Sequence, residues 1–301
     1  MNRRAFNKTV GALAGGLILH RSYGLPNRSK PPARGKPEDR ITMSTVNFRE
    51  RFAQTKSSDA AFKSSPLTLL QIPEYFADRF GLQQVEFWSK HFESISPNYL
   101  KDLNAAIAKS KSKVINIQFD EDYQIGSPDE SIRNKGVDLA LAWADAAHTL
   151  GSGAFRVNPG NGEVGHAISS LKIIHEKCKS KGLVLMVENH FGMEMDPEVH
   201  LRIIREVGGI YTLPDFGNYD NEVRYDALKK IMPFAYQVSA KTMAFDANVN
   251  HLSFDFDKCM KIAVDSGFKG IYSMEQWSKE AIKVSDEAIA DWMLSKIKNY
   301  L

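Results

Sequence analysis

From residue 41 onward, short runs of apolar residues alternate with longer stretches in which apolar residues recur every three or four positions. The short runs predict strands over 41–48, 84–88, 114–119, 155–158, 183–188, 210–215, 234–240 and 270–275. The longer stretches predict helices over 67–80, 97–109, 129–150, 164–181, 197–207, 221–231, 255–266 and 285–300. Their ends carry helix signals. Pro97 opens one helix, Asp196 and Pro197 open another as N-cap and first helical residue, and Gly182 closes a third. Strand–helix pairs repeated in this way imply parallel strands with helices outside. Eight of them in this length favour a closed α/β fold, a (β/α)8 TIM barrel, over an open doubly wound sheet.

The first 40 residues break this rhythm. Asn2-Arg3-Arg4-Ala5-Phe6-Asn7-Lys8 precede a small, weakly apolar run over 9–19. Residues 1–24 therefore read as a twin-arginine export signal. The run is too short and too rich in glycine for a membrane span, which needs about 20 apolar residues. Residues 25–40, with Pro26, Pro31, Pro32 and Pro37, read as a linker, and 41–301 as the barrel domain. A periplasmic or otherwise exported protein is expected. It would meet the Tat export machinery transiently and keep no membrane span afterwards.

The net charge of the 301 residues is +3, and much of the basic excess lies before residue 41. The barrel is therefore close to neutral and lacks the basic surface that tracks nucleic acid, so no nucleic-acid partner is expected. Cys178 and Cys259 fall in predicted helices without metal-ligand spacing, and read as buried thiols.

Parallel barrels build their sites at the C-terminal ends of the strands. The polar residues there are Glu86, Arg156, Asn158, Glu188, His190, Asp215 and Glu275, with Gln237, Ser239 and Lys241 on one face of the seventh strand. Carboxylates converging from strands five, six and eight repel one another unless a cation or protons lie among them. An oxygen-rich set of this kind suits a divalent ion such as Mn, Mg or Zn. Other roles stay open. Asp215 also suits the turn at Gly217-Asn218, and Glu275 suits an arginine partner. Glu86 and Arg156 suit either an internal ion pair or a grip on sugar hydroxyls, and His190 either a polar core position or a substrate contact. Lys241 suits polarisation of a substrate carbonyl or hydroxyl, or a lysine snorkelling from a strand end. Trp88, Phe216 and Trp277 flank these ends, as walls for a sugar face or as caps on the core. His166, His175, His200 and His251 are expected at the surface.

The motifs Val85-Glu86-Phe87-Trp88, Phe155-Arg156-Val157-Asn158-Pro159-Gly160, Val187-Glu188-Asn189-His190, Pro214-Asp215-Phe216-Gly217-Asn218, Val238-Ser239-Ala240-Lys241 and Ser273-Met274-Glu275 follow one another at successive strand ends. In this order they resemble the xylose isomerase-like barrels, the sugar phosphate isomerase/epimerase superfamily. The resemblance implies a divalent ion held by Glu188, Asp215 and Glu275, with Glu188 and Glu275 doubling as acid/base groups. It departs at strand seven, where Ser239-Ala240-Lys241 replaces the family's His-x-Lys. Ser239 and Gln237 then stand as oxygen ligands in place of histidine. Glu86, Arg156, Asn158, His190 and Trp277 are the expected substrate contacts.

The expected activity is isomerisation or epimerisation of a small carbohydrate by proton abstraction next to a carbonyl. Export argues for a neutral or oxidised sugar rather than a sugar phosphate. One alternative is a lyase that cleaves 3-keto-glycosides by β-elimination through the same enolisation. Another is an exported carbohydrate-binding barrel without catalysis. A metal-dependent endonuclease of the related abasic-site repair group would need more histidine ligands and a basic surface, and an exported chain would meet no DNA.

Overall fold

The computed structural model describes residues 36–57, 65–278 and 284–301. The expected signal over 1–24, with its Arg3-Arg4 pair, and the linker as far as residue 35 lie outside the described residues. Among the described residues the strands are β1 (Ile41–Ser44), β2 (Gln84–Trp88), β3 (Lys113–Phe119), β4 (Ala154–Val157), β5 (Val184–Glu188), β6 (Tyr211–Leu213), β7 (Gln237–Thr242) and β8 (Ile271–Gln276). The helices between and after them are α1 (Ile72–Phe80), α2 (Pro97–Lys109), α3 (Glu130–Thr149), α4 (Val164–Ser180), α5 (Pro197–Val207), α6 (Arg224–Ile231), α7 (Phe256–Asp265) and α8 (Asp286–Lys298).

The strands pair in parallel in the order β6-β5-β4-β3-β2-β1-β8-β7. The remaining seam, between β6 and β7, is joined by single bridges at Thr212–Ala235 and Asp215–Ser239. β6 is short because Pro214 follows it and has no N–H to give a ladder. Its carbonyl still accepts from Ser239 N at 2.9 Å. The expected (β/α)8 barrel is therefore present and nearly closed, with Asp215 at the last bridge of the seam.

Helix starts follow the local chemistry. Asp129, Asp196, Asp255, Ser96 and Ser285 each accept an amide of the first helical turn through the side chain. Two expected boundaries move. The first strand ends at Ser44, whose Oγ accepts from Val46 N at 3.2 Å and turns the chain into a 3-10 helix over Thr45–Arg51. The expected helix over 67–80 begins only at Ile72, where Pro73 sits in the first turn.

Strand residues alternate between two environments. Ile41, Met43, Val85, Phe87, Ile117, Phe155, Leu185, Val187, Val238 and Met274 belong to the main apolar core. The residues between them face the lumen, and there the filling is uneven. Ala154, Met186 and Leu213, on β4 to β6, form a small apolar cluster of their own. On β7, β8, β1, β2 and β3 the lumen carries Gln237, Ser239, Ser273, Thr42, Ser44, Glu86, Asn116 and Gln118, all buried. Barrel interiors are ordinarily filled by branched apolar side chains. Half of this one is a polar floor beneath the strand ends, where Ser44 donates to Gln118 and Asn116 and Gln237 donate to Glu86.

Candidate active site

Glu188 ends β5, Asp215 follows β6 and Glu275 lies near the end of β8. All three are buried, and each offers a carboxylate oxygen within 4.8 Å of the other two. The strand-end reading therefore brought together three side chains that do converge, in a set that can hold a metal ion. Asp215 combines both expected roles. Its Oδ1 accepts from Gly217 N at 2.7 Å and Asn218 N at 2.9 Å, which is the turn. Its Oδ2 is buried and has no hydrogen-bond partner among the described residues. Asn189 fixes the backbone of Asp215 from both sides, accepting from its N–H at 2.7 Å and donating to its carbonyl at 3.0 Å.

Two buried cations from the protein stand against these carboxylates. Arg156 Nε lies 3.1 Å from Glu188 Oε2. Lys241 Nζ lies 2.9 Å from Glu275 Oε1 and 3.7 Å from Asp215 Oδ2, and donates to Asn218 Oδ1 at 2.9 Å. Lys241 is thus enclosed in the cluster, and the snorkelling alternative falls away. Glu275 is paired with this lysine rather than an arginine, and its Oε2 accepts from Gln118 Nε2 at 2.7 Å.

Arg156 has a second partner that the sequence reading missed. Both of its terminal nitrogens donate to the carboxylate of Asp120, one of them also reaches the Phe119 carbonyl at 3.2 Å, and Trp88 Nε1 donates to Asp120 Oδ2 at 2.8 Å. Of the two readings left open for Glu86 and Arg156, the internal ion pair between them is not made. Glu86 lies fully buried in the lumen, where Asn116 Nδ2 donates to Oε1 at 2.9 Å and Gln237 Nε2 to Oε2 at 2.6 Å. This also corrects two expected roles. Glu86 is enclosed by lumen groups and presents no exposed surface to a ligand. Gln237 points its amide at Glu86 and serves the lumen rather than the carboxylate cluster. Ser239 lies one step nearer the mouth, bridged to Asp215, with its Oγ buried and without a hydrogen-bond partner among the described residues.

The remaining expected residues sit around this centre. Asn158 Oδ1 accepts from Glu188 N at 3.0 Å, so it sets the end of β5. Its Nδ2 is buried and has no hydrogen-bond partner among the described residues. His190 is half-buried, and burial pushes its pKa down to about 4, which leaves a neutral imidazole near Asp120 and Arg156. Trp277 meets Trp88 edge to face, ring centroids 5.9 Å apart, and is covered by the Arg49 guanidinium 4.5 Å from its ring centre. Phe216 is fully buried and belongs to the core, not to a sugar-facing wall. His200, expected at the surface, is fully buried under the loop after β5. His251 is half-buried among Phe245, Phe254, Phe256 and Trp292, and accepts from Met243 N at 3.1 Å. His166 and His175 are half-buried. The loop carrying Glu188, Asn189 and His190 depends on a close approach, because a Cβ at Gly192 would stand 2.4 Å from the Gly160 carbonyl.

Electrostatics divides the carboxylates. Burial pushes Glu188 well above the usual carboxylate range. Arg156 opposes this, and the charges of Asp215 and Glu275 add to it. Asp215 is also raised by burial, against the pull of Lys241. For Glu275 burial is outweighed by Lys241, by its hydrogen bond and by that of Gln118, and the pKa falls below the ordinary value. Acid and base roles are divided in this way when environments push two like groups apart. The donor set fits a hard divalent ion: three convergent carboxylates, two of them raised by burial, and the Ser239 Oγ beside them.

The lumen also makes a prediction. Burial raises Glu86 from 4.5 to about 7, against the hydrogen bond from Asn116. The folded protein holds this proton more tightly than the unfolded chain. The associated stability is therefore complete below pH 4.5 and is lost as pH rises through 7. Between pH 5 and 8 the wild type should lose about 2–3 kcal/mol through this group. Glu86→Gln should remove that loss, since Gln237 can turn its unpartnered carbonyl toward the new amide. Urea unfolding of both proteins at the two pH values measures it, and parallel pH profiles would show that Glu86 is not the group responsible.

Comparison with known proteins gives the same architecture. No curated protein matches the chain in sequence. Among solved structures, a xylose isomerase-like TIM barrel protein from Mycobacterium smegmatis in complex with magnesium aligns over 87% of this chain and 97% of its own, with TM-score 0.61 and 14% identity. A D-psicose 3-epimerase from Clostridium cellulolyticum H10, solved with D-tagatose, aligns over 87% and 96%, with TM-score 0.59 and 11% identity. A 3-keto-D-glucoside 4-epimerase from E. coli aligns over 87% and 98%, with TM-score 0.59 and 14% identity. At such identities the likeness concerns the fold. The family model for xylose isomerase-like TIM barrels matches residues 75–299, from α1 into α8 and across every strand that supplies the carboxylate cluster, so the chain belongs to the xylose isomerase-like TIM barrel family.

Proposed function

We propose that this protein is a metal-assisted sugar isomerase or epimerase that removes and returns a proton next to the carbonyl of a neutral or oxidised sugar. One observation carries the reading: Glu188, Asp215 and Glu275 converge at the strand ends, buried, each with a carboxylate oxygen within 4.8 Å of the other two. Glu275, kept ionised by Lys241 and Gln118, is the group ready to take a proton. Glu188, the second glutamate of the cluster, is the group placed to return one. A Mg, Mn or Zn ion held by Glu188, Asp215 and Glu275, with the Ser239 hydroxyl beside them, would supply Lewis-acid stabilisation of the negative charge that develops. Lys241 and the neutral His190 offer hydrogen bonds to substrate oxygens, Asn158 Nδ2 offers another, and Trp277 with Trp88 supplies an apolar wall. The epimerase names of two structural neighbours support the same class of chemistry.

The experiment is solvent deuterium uptake. The protein, loaded in turn with Mg, Mn and Zn, is incubated in deuterated buffer with free ketoses, aldoses and 3-keto-glucosides, and carbon-bound deuterium is read by NMR. Uptake at a carbon next to the carbonyl, with formation of an epimer or isomer, is the expected result. Release of an aglycone instead would indicate the elimination reaction. Sugar binding with no uptake under any metal would leave a carbohydrate-binding barrel and end the enzyme reading.

Export belongs to this proposal, because it selects sugars met outside the cytoplasm. It rests on Arg3 and Arg4 in the leader. Replacing both with lysine should leave unprocessed protein in the cytoplasm on fractionation. Unchanged delivery would remove the twin-arginine assignment.

A further inference from the structure

The two protein cations in the cluster are held in very different ways. Arg156 is tied to Asp120 through both terminal nitrogens and to the Phe119 carbonyl, while its Nε faces Glu188. A planar guanidinium held at so many points is fixed. Lys241 carries a compact charge on a flexible four-carbon stem. Its Nζ meets Glu275, Asp215 and Asn218. The stem crosses Gly217, where a Cβ would come within 3.0 Å of its Cγ and Cδ, so that glycine leaves the stem its channel. Asn218, in turn, donates to Glu188 Oε1 at 3.4 Å and to the Asn189 carbonyl at 2.9 Å, so it stays in place whatever the lysine does.

Lys241 therefore stands against two of the three carboxylates that would also hold a divalent ion. An ammonium and a divalent ion only a few ångströms apart in a buried pocket repel strongly. We propose that Lys241 is a displaceable internal cation: its ammonium and a divalent ion compete for the oxygens of Asp215 and Glu275, and entry of the ion turns Lys241 toward the barrel mouth. The inference rests on the reading above that the cluster takes a cation, and adds that the protein itself sets how tightly. Without the ion, Lys241 keeps the carboxylates from lying unpaired, which would be costly in a buried site. With the ion bound, the same lysine becomes a hydrogen-bond donor for a substrate oxygen, with Asn218 as its anchor on the way. Metal affinity is thereby held low until the lysine has another partner.

The test is Mn binding to the metal-stripped full chain, by calorimetry and by the EPR signal of free Mn, in wild type, Lys241→Met, Lys241→Gln and Lys241→Arg. Both neutral variants should bind Mn at least ten-fold more tightly than wild type, and the arginine variant should stay within about three-fold. Thermal melting gives an independent reading. The stripped Lys241→Met protein should melt below wild type, and saturating Mn should raise its Tm by more than it raises that of wild type. Should Lys241→Met fail to fold without metal, Lys241→Gln, which keeps a donor for Asn218, supplies the same comparison. If wild type and the neutral variants bind Mn equally, the displacement is wrong and the cation site stands. If none of them binds Mn, the cluster is no cation site and both readings fall.

Discussion

Arg156→Leu should lower the stability of the barrel by about 3–5 kcal/mol, the cost of removing one partner from a buried ionic network. The guanidinium is 2% exposed and serves two carboxylates at once, Asp120 and Glu188. It holds Asp120 well below the usual carboxylate range despite burial. Without it, Asp120 keeps the Trp88 indole N–H as its side-chain donor among the described residues, and Glu188 loses the cation that touches it. The loss should be reduced when Asp120 is neutralised in the same chain, so that Arg156→Leu with Asp120→Asn is more stable than Arg156→Leu alone. Chemical denaturation of the two single variants and the double variant measures this coupling. Purely additive losses would mean that the two side chains do not act as a unit, and that the loop after β3 is held by something else.

The second large effect falls on turnover. Glu275→Gln and Glu188→Gln should each lower kcat by about 10²–10⁴, the usual contribution of a placed acid or base. For Glu275 the ion pair with Lys241 and the hydrogen bond from Gln118 both favour the charged form, and an amide at this place cannot accept a proton. Binding of the sugar should change less than kcat, because the amide has nearly the shape of the carboxylate. The two variants should also differ in a way that reports on faces. If each carboxylate serves one face of the reacting carbon, deuterium uptake from one epimer should survive in one variant, and from the other epimer in the other. Single-turnover incubation of each epimer in deuterated buffer reads this directly. Equal and complete loss in both directions would assign the two groups to metal holding alone. His166→Ala, on the outside of α4, serves as a control for general damage.

The barrel was legible because its signals are local. Alternation in strands, amphipathic spacing in helices and the Asp or Ser before a helix are read over a few residues, and Asp129, Asp196, Asp255 and Ser285 cap the helices that the pattern places there. The strand-end rule then led to Glu188, Asp215, Lys241 and Glu275, since charged residues at the ends of apolar runs in a parallel barrel gather at its mouth. It missed Asp120 by one position, because the apolar run of β3 ends at Phe119. It missed Gln118 and Asn218 because amides stand out less than charges do.

Partners were another matter. The sequence placed Glu86 and Arg156 on strands of one barrel, β2 and β4, with β3 between them, and left their pairing open. Their partners depend on how far each strand is shifted along its neighbours when the sheet closes. That shift sets Glu86 beside Asn116, with Gln237 reaching it from β7, while Arg156 pairs in register with Gln118 one layer higher. The same closure buries His200 beneath the loop after β5, although its helix looks like a surface helix when read alone. Residue types and their order along the chain determined the fold, the family motifs and which side chains reach the mouth. Which cation meets which carboxylate was decided only by the tertiary structure, because those distances arise between strands far apart in sequence and exist only once the barrel has closed.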